Sequence, residues 1–155
     1  MNTIETSIDI AAPTEAVWDV LTDFGSYGDW NPFVREISGT VAEGERLRVR
    51  LDPPDGRTMT FKPRVTAAVP GERLEWLGHL LVPGLFDGRH EFRLERVDDD
   101  HTRVHHRESF SGVLVGLFLD AADVTEGFEQ MNEALRARIE DGTVATDPEV
   151  DPVTA

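Results

Sequence analysis

The sequence predicts an α+β fold in which one antiparallel sheet packs against a long C-terminal helix. Three observations carry this. Residues 34–112 read as a run of strand-like segments joined by short turns, the pattern of an antiparallel sheet. From about residue 117 to 140, Val124, Phe128, Met131, Leu135 and Ile139 recur at helical spacing, with Glu126, Glu129, Glu133, Arg136 and Glu140 on the opposite side. One strand and one short helix precede both. A lone amphipathic helix must bury its stripe against the sheet, and a sheet curved around it leaves room for an apolar pocket.

Each element has its own signal. Residues 3–10 alternate, with Ile4, Thr6, Ile8 and Ile10 on one face, as in a half-buried strand. Pro13 and Glu15 suit the first turn of a helix, whose apolar stripe is Val17, Trp18 and Leu21 and which should stop near Phe24-Gly25. Residues 26–32 are rich in turn formers. Strands follow over 34–41, 46–51 (Leu47, Val49 and Leu51 inward) and 59–69, the last with Met59, Phe61, Val65, Ala67 and Val69 on one face. Pro63 cannot donate to a ladder, so an edge or bulge is expected there. The turn at 52–56 breaks the second run, and Pro70-Gly71 leads into a strand over 73–80. The apolar loop 81–85 should lie at a rim. Two long strands, near 86–97 and 102–112, flank the acidic hairpin tip Asp98-Asp99-Asp100. Gly142 is the expected helix stop. The domain is therefore placed at 1–141, and the acidic, proline-bearing residues 142–155 are expected to be disordered.

Composition narrows the function. The chain has 155 residues, 39% of them hydrophobic, enough for one domain with an ordinary core. It has no cysteine, which excludes disulfides and thiolate chemistry. No apolar run is long enough to span a bilayer, and the N-terminus lacks the pattern of a signal peptide, so a cytoplasmic location without membrane insertion is expected. The formal net charge is −15, and Lys62 is the only lysine. Such a chain repels phosphates and argues against nucleic-acid binding. The acidic excess is spread throughout and is read as solvation in a salt-rich cytoplasm, such as a halophile's. Stability should then rise from low to molar KCl as self-repulsion is screened. An unfolding midpoint that does not move with KCl would contradict this.

Polar residues on inward faces mark the candidate site. Gly88, His90, Phe92 and Leu94 share one face of a strand; Val104, His106, Glu108 and Phe110 share one face of the next. The hairpin through 98–100 sets Leu94 opposite Val104 and brings His90 opposite or diagonal to Glu108. The predicted pocket holds His90, His106 and Glu108 between walls of Trp76, Phe92, Phe110, Phe128 and Met131, with Trp30, Asn31 and Phe33 at its mouth. Buried polar groups need partners. His90 and Glu108 can therefore satisfy each other and fix the register. They can also bind a ligand's carbonyl or hydroxyl, or serve as an acid–base pair beside a ketone. Trp30 has an alternative role as a packing anchor, the Phe128/Met131 stripe as core, and Arg35 as a surface charge. Two histidines and a glutamate can ligate zinc, but His105 and His106 are adjacent and so face opposite ways. No metal or cofactor is predicted. Ser109 and Ser111 have no histidine on their face and make no nucleophile.

The segments "IDIAAPTEAVWDVLTD", "YGDWNPF", "LEWLG", "FDGRHEFRL" and "TRVHHRESFSG" resemble the START-like, birch-pollen-allergen-like (SRPBCC) superfamily, in its polyketide cyclase/dehydrase-like branch, over roughly residues 3–140. The resemblance implies the helix-grip fold. Members include lipid and hormone binders, aromatase/cyclases, coenzyme Q-binding proteins and chaperone activators, so it leaves three expectations for function. The first is binding of a small hydrophobic or aromatic molecule. The second is a cyclase/dehydratase using His90 and Glu108, and the third is a protein-interaction module. Oligomeric state is left open.

Overall fold

The computed structural model describes residues 2–52, 58–80, 82–113, 115 and 121–146. In chain order the elements are β1 (Asn2–Ile10), α1 (Thr14–Thr22), a 3-10 turn (Phe24–Ser26), α2 (Tyr27–Trp30), β2 (Val34–Ser38), β3 (Arg48–Leu51), β4 (Met59–Phe61), β5 (Arg64–Val69), β6 (Arg73–Leu80), β7 (Phe86–Asp98), β8 (His101–Ser111) and α3 (Ala121–Thr146). Five strands form one antiparallel sheet in the order β1-β8-β7-β6-β5, and β2-β3-β4 form a second. Residues 44–47 join them. Arg46 bridges to Arg64, Leu47 N–H donates to the Pro63 carbonyl (2.8 Å), and Val65 N–H donates to that of Glu45 (2.8 Å). The result is a curved antiparallel surface around α3, whose Phe128, Met131 and Leu135 are buried, as is Ile139 at its far end. This is the expected helix-grip arrangement.

Proline makes the main departure from the sequence reading. The run 59–69 divides at Pro63, which has no N–H for a ladder, and its halves enter different sheets. Met59 (41% exposed), Ala67 and Val69 (39%) do not join the inward face as expected, whereas Val65 does. A register shift between Val65 and Ala67 turns the faces over, so that Ala67 stands opposite Glu75 of the outer face and Ala68, opposite Leu74, packs on the core. β2 stops at Ser38, just before Gly39 turns the chain with φ 125°. β3 begins at Arg48, two residues later than expected. The terminal helix continues through Gly142 to Thr146. Residues 53–57 of the expected turn, Leu81 of the apolar loop, residues 117–120 of the expected helix start and residues 147–155 of the tail lie outside the described residues.

Glycine inside a helix costs about 1 kcal/mol relative to alanine, so Gly127 within α3 needs a reason. A β-carbon there would lie 2.5 Å from the Phe33 ring. Its absence lets Phe33 press against the helix and meet Phe128 edge-on at 5.6 Å. On the outer face of the sheet the charges are paired across strands. Glu91 is bonded by Arg107 (2.9 Å) with Arg73 at 3.8 Å, Glu75 by Arg89 (2.9 Å), and Asp9 by Arg103 (2.7 Å). The Asp9–Arg103 pair, exposed on both sides, contributes under about 1 kcal/mol, whereas Glu91 is buried beneath its two arginines.

Candidate functional site

One hairpin sets the register of the site. Asp98 Oδ1 accepts from Asp100 N–H at 2.8 Å and bonds His101 Nδ1 at 2.8 Å, closing the turn. Pairing from there places Leu94 opposite Val104, Phe92 opposite His106 and His90 opposite Glu108, the register expected from the sequence. β6 adds Trp76 opposite His90 and Gly78 opposite Gly88. Strand alternation then sends Trp76, His90, Phe92, His106, Glu108 and Phe110 to the inner face.

The polar residues form one hydrogen-bonded line. Glu108 Oε1 lies 3.0 Å from His90 Nδ1, and His90 Nε2 lies 2.8 Å from His106 Nε2. His106 Nδ1 is 2.8 Å from Asn132 Oδ1, and Asn132 Nδ2 donates to Thr6 Oγ1 at 2.8 Å. Asn132 and Thr6 were not singled out from the sequence. Asn132 had a signal: it stands four residues after Phe128 and three before Leu135, on the buried stripe. A polar residue there needs an internal partner.

The hydrogens along this line can be assigned. Thr6 donates its only hydroxyl hydrogen to the His106 carbonyl (3.1 Å), so toward Asn132 it accepts. Asn132 therefore turns its oxygen to His106 Nδ1, which carries a hydrogen. Burial holds His106 well below the ordinary imidazole range; the charge of His90 acts the same way, and the Asn132 bond opposes them. His106 is thus neutral and its Nε2 is a bare acceptor, so His90 Nε2 donates. One hydrogen remains, shared between His90 Nδ1 and Glu108 Oε1. The pair is either imidazolium with carboxylate or imidazole with carboxylic acid.

Aromatic rings clamp the line. His106 lies flat on Phe128 (centroids 4.0 Å, 9°), Trp76 on His90 (4.9 Å, 14°), and Phe92 is 4.4 Å from His106. His106, Phe92, Phe128 and Met131 are fully or almost fully buried, so this end of the interior is filled. The Glu108 end differs. Its side chain faces inward yet keeps 13% of its surface accessible, and on the same side of the sheet Phe61, against Gly78, and Phe86, against Phe110, are only half-buried. A β-carbon on Gly88 would lie 2.2 Å from Glu108 Oε2; one on Gly78 would lie 3.4 Å from Phe61 and Pro63. Two glycines in one row thus give the carboxylate and Phe61 their room.

The predicted residues separate into groups. Trp76, His90, Phe92, His106, Glu108 and Phe128 come together. Phe110 adjoins them and packs on Phe86 at 5.7 Å. Met131 is buried core next to Asn132. Phe33 lies on Phe128, whereas Trp30 packs on Tyr27 at 5.1 Å, with its Nε1 buried and without a hydrogen-bond partner among the described residues. Asn31 folds its own loop, accepting from Phe33 N–H (2.9 Å) and Val34 N–H (2.8 Å). Arg35 donates to the Asn31 carbonyl at 2.8 Å. His105 faces out to Glu95 at 2.8 Å, opposite in direction to His106.

Residues 1–140 match the family described as polyketide cyclase / dehydrase and lipid transport. The chain belongs to that family. No curated protein matches it. Solved structures share its fold at low identity. An aromatase/cyclase from Streptomyces sp. R1128 has a TM-score of 0.72 at 20% identity, covering 90% of this chain and 93% of its own. A START superfamily protein from Mycobacterium smegmatis gives 0.70 at 17%, covering 90% and 97%. A hypothetical protein from Helicobacter pylori gives 0.73 at 18%, covering 89% and 88%. Likeness at this level establishes for this polyketide cyclase/dehydrase and lipid transport family member the helix-grip fold, which fits ligand binding without naming a ligand. Among its described residues no helix is long and apolar enough to cross a membrane.

Proposed function

We propose that the protein binds a small hydrophobic or aromatic molecule inside the sheet, against Phe61, Phe86, Gly88 and Phe110, with the polar end of that molecule at Glu108. One observation supports this: the polar line, buried through His90 and His106, reaches a partly accessible carboxylate at Glu108, on the same face as Phe110, whose ring packs on half-buried Phe86. Apolar walls around one polar point are the usual construction of a small-molecule site. The family description, which joins cyclases with lipid transport, supports the same reading.

The shared hydrogen favours a second reading, proton transfer to or from a bound carbonyl compound by the His90–Glu108 pair. Native mass spectrometry of protein purified without refolding, followed by solvent extraction, tests the first. A stoichiometric apolar adduct is expected. That compound, incubated with wild type and with His90→Ala and Glu108→Gln, then tests turnover. Absence of any adduct, together with no affinity for apolar probes, would refute the binding reading.

A further inference from the structure

The hydrogen-bond line also decides which kind of polar group the bound molecule must bring, an inference that rests on the binding reading above. Glu108 Oε1 is committed to His90 Nδ1 at 3.0 Å. Its other oxygen, Oε2, forms no hydrogen bond among the described residues and stands over the bare backbone of Gly88, where a β-carbon would come within 2.2 Å. In the imidazolium–carboxylate form, Oε2 belongs to a carboxylate and accepts. In the imidazole–acid form the hydrogen sits on Oε1, because moving it to Oε2 would set two lone pairs against each other at 3.0 Å. Oε2 is then a carbonyl oxygen and again accepts. Both forms therefore present an acceptor, and His90 spends its two ring nitrogens on Glu108 and His106. Neither His90 nor Glu108 has a hydrogen left to offer a ligand's carbonyl or carboxylate.

We propose that the site selects ligands that donate a hydrogen: an apolar ring or chain anchored by a hydroxyl (phenol, enol or alcohol) whose O–H points at Glu108 Oε2. Its apolar body lies on Phe61, Phe86 and Phe110. A ketone of the same shape finds no donor, and a carboxylate meets a second oxygen lone pair, with the chain's net charge of −15 adding to the repulsion.

Isothermal titration calorimetry with 2-naphthol, 2-methoxynaphthalene and 2-naphthoate tests this. The second carries a methyl group in place of the first's hydroxyl hydrogen and so cannot donate. A hydrogen bond to a charged group predicts 2-naphthol binding roughly ten- to a hundredfold more tightly than the methyl ether, with 2-naphthoate weakest. Glu108→Gln should keep the preference, since its amide can donate to His90 and leave its carbonyl oxygen in the free position. Glu108→Leu, checked by circular dichroism for folding, should reduce 2-naphthol to the level of the ether. Equal affinity of naphthol and ether for the wild type would overturn the hydroxyl anchor while leaving the pocket intact. So would a preference that survives Glu108→Leu or is lost in Glu108→Gln. Binding of none of the three probes would overturn the pocket reading itself, and the anchor with it.

Discussion

Replacing His106 with alanine is expected to destabilise the protein by on the order of 3–5 kcal/mol, the range for deleting a large buried ring. The side chain fills the core between Phe128 and Phe92. Its loss also leaves His90 Nε2–H without an acceptor and Asn132 Oδ1 without a donor, and unsatisfied buried groups cost about 1–3 kcal/mol each. Asn132→Ala removes the same hydrogen bond from the other side and should cost about 2–3 kcal/mol. Because both changes break one interaction, their effects should not add: a double-mutant cycle by urea unfolding should show a coupling of about 1 kcal/mol or more. Additive losses would mean that the line is a coincidence of packing and that its members act independently.

Acidification should expose the same residue in a second way. In the unfolded chain an imidazole takes up its proton near pH 6.5. In the folded protein burial delays that uptake to well below this range. Between the two values the unfolded state binds more protons, so stability rises with pH and falls on acidification. For one such group the loss from pH 7.5 to 5.5 is about 1.4 kcal/mol.

Other groups act differently. His101 is held above its usual range by Asp98, so it contributes stability below pH 6.5 that is lost as pH rises, the opposite sign. Asp9, Asp87, Glu95 and Asp98 are held low by Arg103, His79, His105 and His101, so their own protonation falls below this window. The difference between wild type and His106→Gln separates the His106 site from His101 and these carboxylates, with none of which it forms a hydrogen bond. Parallel stability curves from pH 5.5 to 7.5 would show that His106 takes up its proton with little hindrance.

The long hairpin was legible because its signals reinforce one another. An acidic turn fixes where the chain reverses and alternation fixes the faces; together they put His90 opposite or diagonal to Glu108, and the structure has them opposite. The 59–69 run was misread because alternation passes through Pro63 undisturbed; only the missing N–H distinguishes one strand from two. Asn132 was missed since a single polar residue in a helix reads as solvent-facing unless its phase is counted, and Thr6 because threonine is common in strands. The filled interior around His106 was not legible at all. Whether inward residues wall a cavity or close it depends on how far the sheet curls, and that is set by residues 44–47 bridging to 63–65.

The pairing of β1 with β8 has a consequence for how the protein is made. Asn2 lies opposite Phe110, and Thr6 receives its hydrogen bond from Asn132, 126 positions later. At about 5–20 residues per second, the first strand leaves the ribosome on the order of 5–20 s before its partner strand exists. Throughout that interval its isoleucine face is uncovered, while β6, β7 and β8 can pair with near neighbours as they emerge. Ile4, Thr6, Ile8 and Ile10 thus form an apolar face that the nascent chain carries without its partner strand until residues 102–110 are made. The site around His106 is completed only when the last helix arrives.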